Sequence, residues 1–507
     1  MNHQSQTKNC VNCKTDFTIE LDDFGFYEKM DVPPPQKCPP CRAQLRLSFR
    51  NERSFYKRDC DKCKKSVVSM YSPNKSYVVW CTECWNAEDW DARDYGINYD
   101  SSKSFLEQFE EIWNKVPKIG LMHVRSINSE YLNICADSKN CYMIIESSNN
   151  EDCINCYWIQ LSKDLVDCSF TNKVERSYES DDCYDSYGLR FCKGCHSCTD
   201  SYFLLDCRGC TDCIGCVNLR NKSNCIFNVE YSKEEYKKKK EELKLDTYFG
   251  MKEFENHFKE FIKDKPRKYA EITSVINSTG TYLSNVKNVK NCFHTYEAED
   301  CKHCVHAWRT SKDNMDCDTV GRVSTNNYEC VNTGQEASNN KMSALCWGTS
   351  FAEYSYHCLG SQELFGCIGI RQKKYCILNK QYTKEEYEKI KKEIISKMKI
   401  DGTYGEFFPK ELSCFGYNES CVNEQYSLSK EEALEQGFKW EDTVRGTYDK
   451  ETVDWITFPD SIRDLPKEFN INKEIFTCLD CKKNYRIILN ELNFYKKNGF
   501  AYTENMS

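Results

Sequence analysis

Eight cysteines near the amino end are spaced for metal chemistry. Cys10 and Cys13 are followed by Cys38 and Cys41, and Cys60 and Cys63 by Cys81 and Cys84, so each set is two C-x-x-C pairs joined by a short loop. Four thiolates suit a tetrahedral cation, Zn2+ above all, and one tight turn aims both sulfurs of a C-x-x-C at the same ion. A closed four-sulfur site leaves no open coordination position, so two structural zinc ions are expected, with more possible if other cysteines take part. Cross-bracing, first pair with third, is the alternative pairing. A later pair, Cys478 and Cys481, repeats the first: CVNCKTDFTIELDDFGFYEK (10–29) aligns without gaps on CLDCKKNYRIILNELNFYKK (478–497). Met506 stands where Cys38 would. Cys478 and Cys481 are therefore expected as a half site. Another chain, Cys414 with Cys421, or a different ligand would complete it; degeneracy or truncation is the expectation preferred.

Between the two cysteine sets the chain turns basic: Arg42, Arg46, Arg50, Arg53, Lys57 and Arg58 lead into further lysines. The four arginines recur at helical spacing, which predicts one arginine face on a helix beginning at the second cysteine pair. Phe49, Phe55 and Tyr56 interleave. Such a face could grip phosphates while the aromatics stack on unpaired bases, so RNA or a ribonucleoprotein is the expected partner. The plainer alternative is a solvated face paired with the acidic segment 88–100.

Other chemistry is sparse. No phosphate-binding glycine loop, H-E-x-x-H or G-x-S-x-G occurs, so no catalytic residues are assigned and a non-enzymatic protein is expected. His303 and His306 flank Cys304, and His294 and His357 neighbour other cysteines. They are a possible ligand cluster or, more simply, core histidines.

The elements that must carry these residues are announced by a period of three. Every cysteine from Cys135 to Cys225 lies on one register of three residues. Chance alignment has odds of about one in a million, so this is a repeat. The period is neither helical nor that of a simple strand. It predicts a short-coil β-solenoid with coils of 12 to 18 residues, its cysteines stacked inward as small apolar groups. Metal or redox use of Cys192/Cys195/Cys198 and Cys207/Cys210/Cys213/Cys216 is the competing reading. GCVNLRNKSNC (215–225) recurs as GCIGIRQKKYC (366–376), and NCIFNVEYSKEEY (224–236) as YCILNKQYTKEEY (375–387). The module is thus present twice. Cys317 and Cys330 slip the register, as insertions would make them do, and Cys210 and Cys213 have no cysteine counterparts. Ser232 with Glu235 and Thr383 with Glu386 are capping boxes for helices expected to close each solenoid; Ser429 with Glu432 starts another, and Ser104 one whose stripe is Phe105, Phe109, Ile112, Trp113 and Val116.

The fold expected is therefore multidomain, α+β to mostly β. A first zinc ribbon spans 1–58, a second 59–100 and a linking helix 101–130. Solenoid repeats with helical caps span 131–270 and 282–412, a connecting segment 413–470 and a half ribbon 471–507. The 507 residues carry a net charge of −8 and 35 cysteines. The chain as a whole is no polyanion binder. The first residues show no secretory pattern and no apolar stretch is long enough to span a membrane, which predicts a cytoplasmic protein with reduced thiols and no membrane partner.

The first cysteine set, C-x-x-C-x-x-x-F-x-I followed by FY and CPPCR, resembles a probable zinc-ribbon, treble-clef-like domain family of unknown function. With CTECW and WDARDYGINYD (81–100), FLEQF (105–109), YGEFFP (404–409) and FGYNES (415–420), the chain resembles cysteine-rich zinc-ribbon proteins of candidate-phylum bacteria. That resemblance implies zinc and an intracellular setting and carries no activity. Three functions compete on these grounds: a zinc protein that binds RNA, a protein-interaction scaffold on the solenoid, and a metal or thiol reservoir.

Overall fold

A computed structural model describes residues 4–443, 447–455, 457–466 and 469–499. The chain forms two units, each drawn from separated segments: Met1–Gly120 with Lys268–Thr443, and Leu121–Arg267 with Val444–Ser507.

In the first unit, β1 (Gln6–Asn9) and β2 (Asp16–Ile19) form an antiparallel hairpin closed by Asn9 and Asp16. The strand expected to run on through Leu21 stops at Ile19, because Leu21 opens α1 (Leu21–Lys29) and is exposed. α2 (Pro39–Leu47) starts on the second cysteine pair, with Cys38 as N-cap and Pro39 at the first helical position, where a missing N–H costs nothing. β3 (Tyr56–Asp59) and β4 (Ser66–Ser69) repeat the hairpin, and α3 (Thr82–Asn86) starts after Cys81. α4 (Phe105–Lys115) carries the expected Ser104/Glu107 capping box and buries Phe105, Phe109, Ile112 and Trp113.

Each unit contains a β-solenoid. In the second unit parallel pairing begins at His123 with Cys135, and in the first at Ile272 with Leu283, both ahead of the expected starts at 131 and 282. Rungs pair residues 12 apart, as in Tyr142 with Ile154 and Val166 with Tyr178. A coil of four triplets is the shortest consistent with the period of three. One residue in each triplet is left-handed: Asn128, Tyr131, Ile134, Asp137 and Asn140 have φ of 49, 56, 57, 52 and 55°. That conformation costs L-residues about 1–2 kcal/mol each, least for Asn and Asp. Backbone bonds between coils offset it, for example Asn140 N–H to Ile127 O at 3.0 Å and Asp152 N–H to Lys139 O at 3.0 Å. Asn128, Asn140 and Asp152 add a side-chain ladder with steps of 2.9 Å.

The register slip of the second repeat has a geometric cause. Lys302 pairs with Met315 and Thr325 with Ser338, coils of 13 residues rather than 12, with pairing irregularities between Tyr296 and Ala298 and between Asp318 and Val320. Each extra residue bulges outward, so Cys304, Cys317 and Cys330 still stack in one interior column.

The interior cysteines are buried, and their sulfurs act like serine hydroxyls. Cys183, Cys192 and Cys210 donate to the carbonyl two residues back at 3.3, 3.2 and 3.5 Å. Ser186 and Ser201 make the same bond at 2.8 Å. Where the second repeat lacks Cys210 and Cys213 it has Ser361 and Leu364; Ser361 donates to Leu359 O at 3.0 Å and Leu364 is fully buried. A position that accepts cysteine, serine or leucine is chosen for size and for a single donor. We therefore expect Cys210→Ser to lower stability by less than about 1.5 kcal/mol, and Cys210→Phe, which overpacks the column, by about 1–3 kcal/mol or more, read from urea unfolding.

Helices with the expected capping boxes follow the solenoids at Lys233–Glu242 and Lys384–Ile400, and a third spans Lys430–Glu435. In the second unit Tyr236, Met251, Phe254 and Phe258 pack with Phe203, Ile214 and Ile226 of the solenoid.

In both units a cysteine hairpin docks its helix on the solenoid in the same way. In the first, Lys29 pairs with Asp313 at 2.9 Å, and Phe26 and Tyr27 set their rings edge-on to Tyr328 at 5.8 and 5.6 Å. In the second, the aligned Lys497 pairs with Asp164 at 2.9 Å, and Phe494 and Tyr495 lie 6.4 and 5.5 Å from Tyr178. The first hairpin thus joins the second solenoid, and the last hairpin joins the first solenoid.

Candidate metal centres

The turn between β1 and β2 is built to converge sulfurs. Cys10 N–H bonds Thr15 O at 3.0 Å, Lys14 N–H bonds Cys10 O at 3.0 Å, and Lys14 is left-handed at φ 61°. Cys60, Lys64 and Lys65 reproduce it with bonds of 2.8 and 2.9 Å and φ 61°. The second pair of each set arrives at a helix start, and Cys38 N–H and Cys81 N–H donate to Cys10 Sγ and Cys60 Sγ at 3.3 and 3.2 Å. Asn12 Nδ2 donates to Cys41 Sγ at 3.3 Å.

Cys10, Cys13, Cys38 and Cys41 form one cluster, and Cys60, Cys63, Cys81 and Cys84 the other; within each, all sulfurs lie within 4.8 Å of one another. The pairing is therefore sequential rather than cross-braced. Zn–S bonds of about 2.3 Å in a tetrahedron put sulfurs about 3.8 Å apart, and Cys13 to Cys38 and Cys63 to Cys81 measure 3.6 and 3.9 Å. Ionisation divides between the pairs. The Thr15 side chain and backbone N–H hold the Cys13 thiol down to about 6. Burial opposes ionisation of Cys60, but the N–H groups of Cys63, Cys81 and Lys62 outweigh it and hold that thiol down to about 7. Burial pushes Cys38 and Cys81 up. A divalent cation supplies the charge that lets all four ionise together. The residues present fit such an ion, which would fasten a hairpin to the start of a helix.

The solenoid cysteines are a different population. Burial pushes the thiols of Cys156, Cys168 and Cys367 up, as expected of neutral hydrogen-bond donors. Among the described residues they form no cluster like the two above. Nor do the histidines: His294 stacks on Tyr282 at 4.4 Å, His357 on Trp85 at 4.4 Å, and burial lowers His303 and His306.

Cys478 and Cys481 sit on a turn of the same design. Cys478 N–H bonds Lys483 O at 2.9 Å, Lys482 N–H bonds Cys478 O at 3.0 Å, and Lys482 has φ 60°. The half site is therefore intact as a turn. Met506 falls outside the described residues.

The arginine face requires a correction. α2 ends at Leu47, so only Arg42 and Arg46 share a helix face; Arg50 and Arg53 lie beyond it. Arg42, Arg46 and Arg50 are only 5, 1 and 5% exposed. Arg42 Nη2 meets Asp316 at 2.5 Å and Arg42 Nε meets Glu329 at 2.9 Å; Arg46 meets Asp318 at 3.2 Å and Glu329 at 2.8 Å. Arg50 bonds Thr319 at 2.8 Å and pairs with Glu52. Arg58 pairs with Asp61 at 3.1 Å, and of the six basic residues only Arg53 and Lys57 are exposed. A phosphate backbone cannot reach guanidinium groups already covered by carboxylates. The acidic segment expected as the alternative partner supplies only Asp89, which pairs with Lys62. Asp316 and Glu329 were missed because they are distant in sequence; they come together by lying 13 residues apart on neighbouring coils.

The chain matches no family model, and no curated protein matches it. Among the described residues no helix is long and apolar enough to cross a membrane.

Proposed function

We propose that this chain is a zinc-stabilised scaffold for protein–protein interaction. The observation that carries the reading is the internal use of Arg42, Arg46 and Arg50, which leaves the solenoid faces as the extended surfaces. Those faces repeat side chains at every coil, about 4.8 Å apart. Lys139, Glu151 and Lys163 form one charged ladder, with both pairs at 3.0 Å, and Lys287, Glu299 and Lys312 form another, with pairs at 2.8 and 3.1 Å. Regular ladders on a stiff solenoid suit recognition of extended partners, as in other repeat proteins. Zinc is the ion of choice for two closed four-thiolate sites, its role being to fasten hairpin to helix. The helices after each solenoid close its open end, and the zinc-ribbon resemblance of the first cysteine set agrees with this reading.

Tagged chain recovered from cells and treated with nuclease is expected to retain its partner proteins. It is also expected to bind single-stranded RNA no better after Arg53→Ala and Lys57→Ala than before. Loss of all partners with nuclease would overturn the scaffold reading.

A further inference from the structure

The two units share a docking plan that differs in one respect. Stepping back along the solenoid rungs from the matched Ile226 and Ile377, Val166–Asp167 corresponds to Met315–Asp316, and Tyr178–Glu179 to Tyr328–Glu329. The corresponding rungs pair Val166 with Tyr178 and Met315 with Tyr328. In the first unit α2, which begins on Cys38 and Cys41, lies over the two acids and neutralises them with Arg42 and Arg46; the side chains of Asp316 and Glu329 are 0 and 3% exposed. In the second unit Asp167 is half-buried and Glu179 is exposed. Lys252, itself paired with Glu255 at 3.3 Å, lies within electrostatic reach of Glu179. The docked helix beside these acids is Leu489–Asn498, the counterpart of α1, and it follows the Cys478–Cys481 turn.

The cysteine turn itself is the second, independent observation. It keeps the hydrogen bonds and left-handed lysine of the two turns that belong to four-sulfur clusters, and Cys478 is buried while Cys481 is exposed, as Cys10 and Cys13 are. Among the described residues no four-cysteine cluster surrounds it. Two thiolates make half of a tetrahedral site.

We propose that Cys478, Cys481, Asp167 and Glu179 form a metal-dependent docking site for a helix of the type C-x-x-C-R-x-x-x-R, supplied by another polypeptide segment. Its cysteines complete a four-thiolate zinc site, and its arginines pair with the two carboxylates. The partner is defined by charge and spacing: residues 38–46 of this chain have that pattern and engage the equivalent acids of the first unit. The choice of ion rests on the zinc reading of the amino-terminal clusters.

The test uses the full chain, zinc, and a labelled peptide of sequence CPPCRAQLRL. Zinc-dependent binding of one peptide per chain is expected, together with one further zinc over the content of the peptide-free protein. Cys481→Ser, at an exposed position, is expected to abolish both. Asp167→Asn with Glu179→Gln is expected to weaken the peptide about tenfold or more while the further zinc is still taken up at high peptide concentration. A peptide with glutamine in place of both arginines should weaken similarly on the unaltered chain, and no further on the carboxylate variant. Binding that survives Cys481→Ser, binding without zinc, or indifference to the carboxylate changes would overturn the proposal. The peptide-free zinc content separates the two readings: two ions per chain with no peptide uptake defeats the docking site alone, whereas none defeats the zinc reading.

Discussion

Arg46→Ala is expected to destabilise the first unit by about 3–5 kcal/mol, the cost of removing one partner from a buried ion network. Arg46 is 1% exposed and meets both Asp318 and Glu329. Alanine leaves two carboxylates in a dry site and opens a cavity where the long side chain packed. The control is Arg53→Ala, whose 3.8 Å pair with Glu424 is half exposed and contributes less than about 1 kcal/mol. Neutralising the whole network, with Arg46→Met, Asp318→Leu and Glu329→Met together, is expected to recover most of the loss, since a buried network replaced by apolar groups is often neutral or better. The deficit also depends on pH. Burial holds Glu329 up to about 7 even with its arginines present, and losing Arg46 raises it further. A carboxyl raised on folding binds its proton more tightly folded than unfolded, so its penalty is absent below the unfolded value of about 4.3 and is fully felt only above the folded one. The Arg46→Ala deficit should therefore be smaller at pH 5 than at pH 8. Urea unfolding at both values checks this; a deficit below 1 kcal/mol, or one that grows on acidification, would contradict it.

Metal removal is expected to have the larger effect, on the order of 10 kcal/mol for each small cysteine-bound element, and to be confined to the amino-terminal hairpins. β1–β2 and β3–β4 are four-residue strands, and two-stranded hairpins are marginal alone. What fastens them to α2 and α3 is the sulfur cluster. The solenoids rest instead on stacked rungs and apolar columns that hold no such cluster among the described residues. A strong thiophilic chelator should make the region from Cys10 to Cys84 sensitive to protease while the β signal of the solenoids persists. Asp316, Asp318 and Glu329 would lose their arginines when α2 departs, so the first solenoid-bearing unit should also become less stable at neutral pH. Full unfolding on chelation, or none, would contradict the division.

The sulfur spacing was the most legible part of the chain. Two C-x-x-C pairs per set specify their clusters because a tight turn and a helix start are local structures, settled by nearby residues such as Lys14 and Pro39. The register of three was equally plain, since one inward residue per triplet is a local rule; the slip at Cys317 and Cys330 even located the 13-residue coils. The destination of the arginines was not legible. Arg42 and Asp316 are far apart along the chain, and an arginine stripe at helical spacing looks alike whether it faces solvent or a buried carboxylate. Nor did linear order reveal that the first hairpin docks on the second solenoid, because Lys29 with Asp313 and Lys497 with Asp164 are single long-range pairs without a local signature.

The central claim is that sulfur serves two ends: eight amino-terminal cysteines hold metal, and the solenoid cysteines are packing groups that donate to backbone carbonyls. Its most direct test is alkylation of the native protein with and without chelator, read cysteine by cysteine from peptide masses. Chelation is predicted to unmask Cys10, Cys13, Cys38, Cys41, Cys60, Cys63, Cys81 and Cys84 and to leave the cysteines of 135–225 and 292–376 as unreactive as before. Chelator-dependent labelling within either solenoid, or eight amino-terminal thiols that react alike with and without chelator, would contradict it.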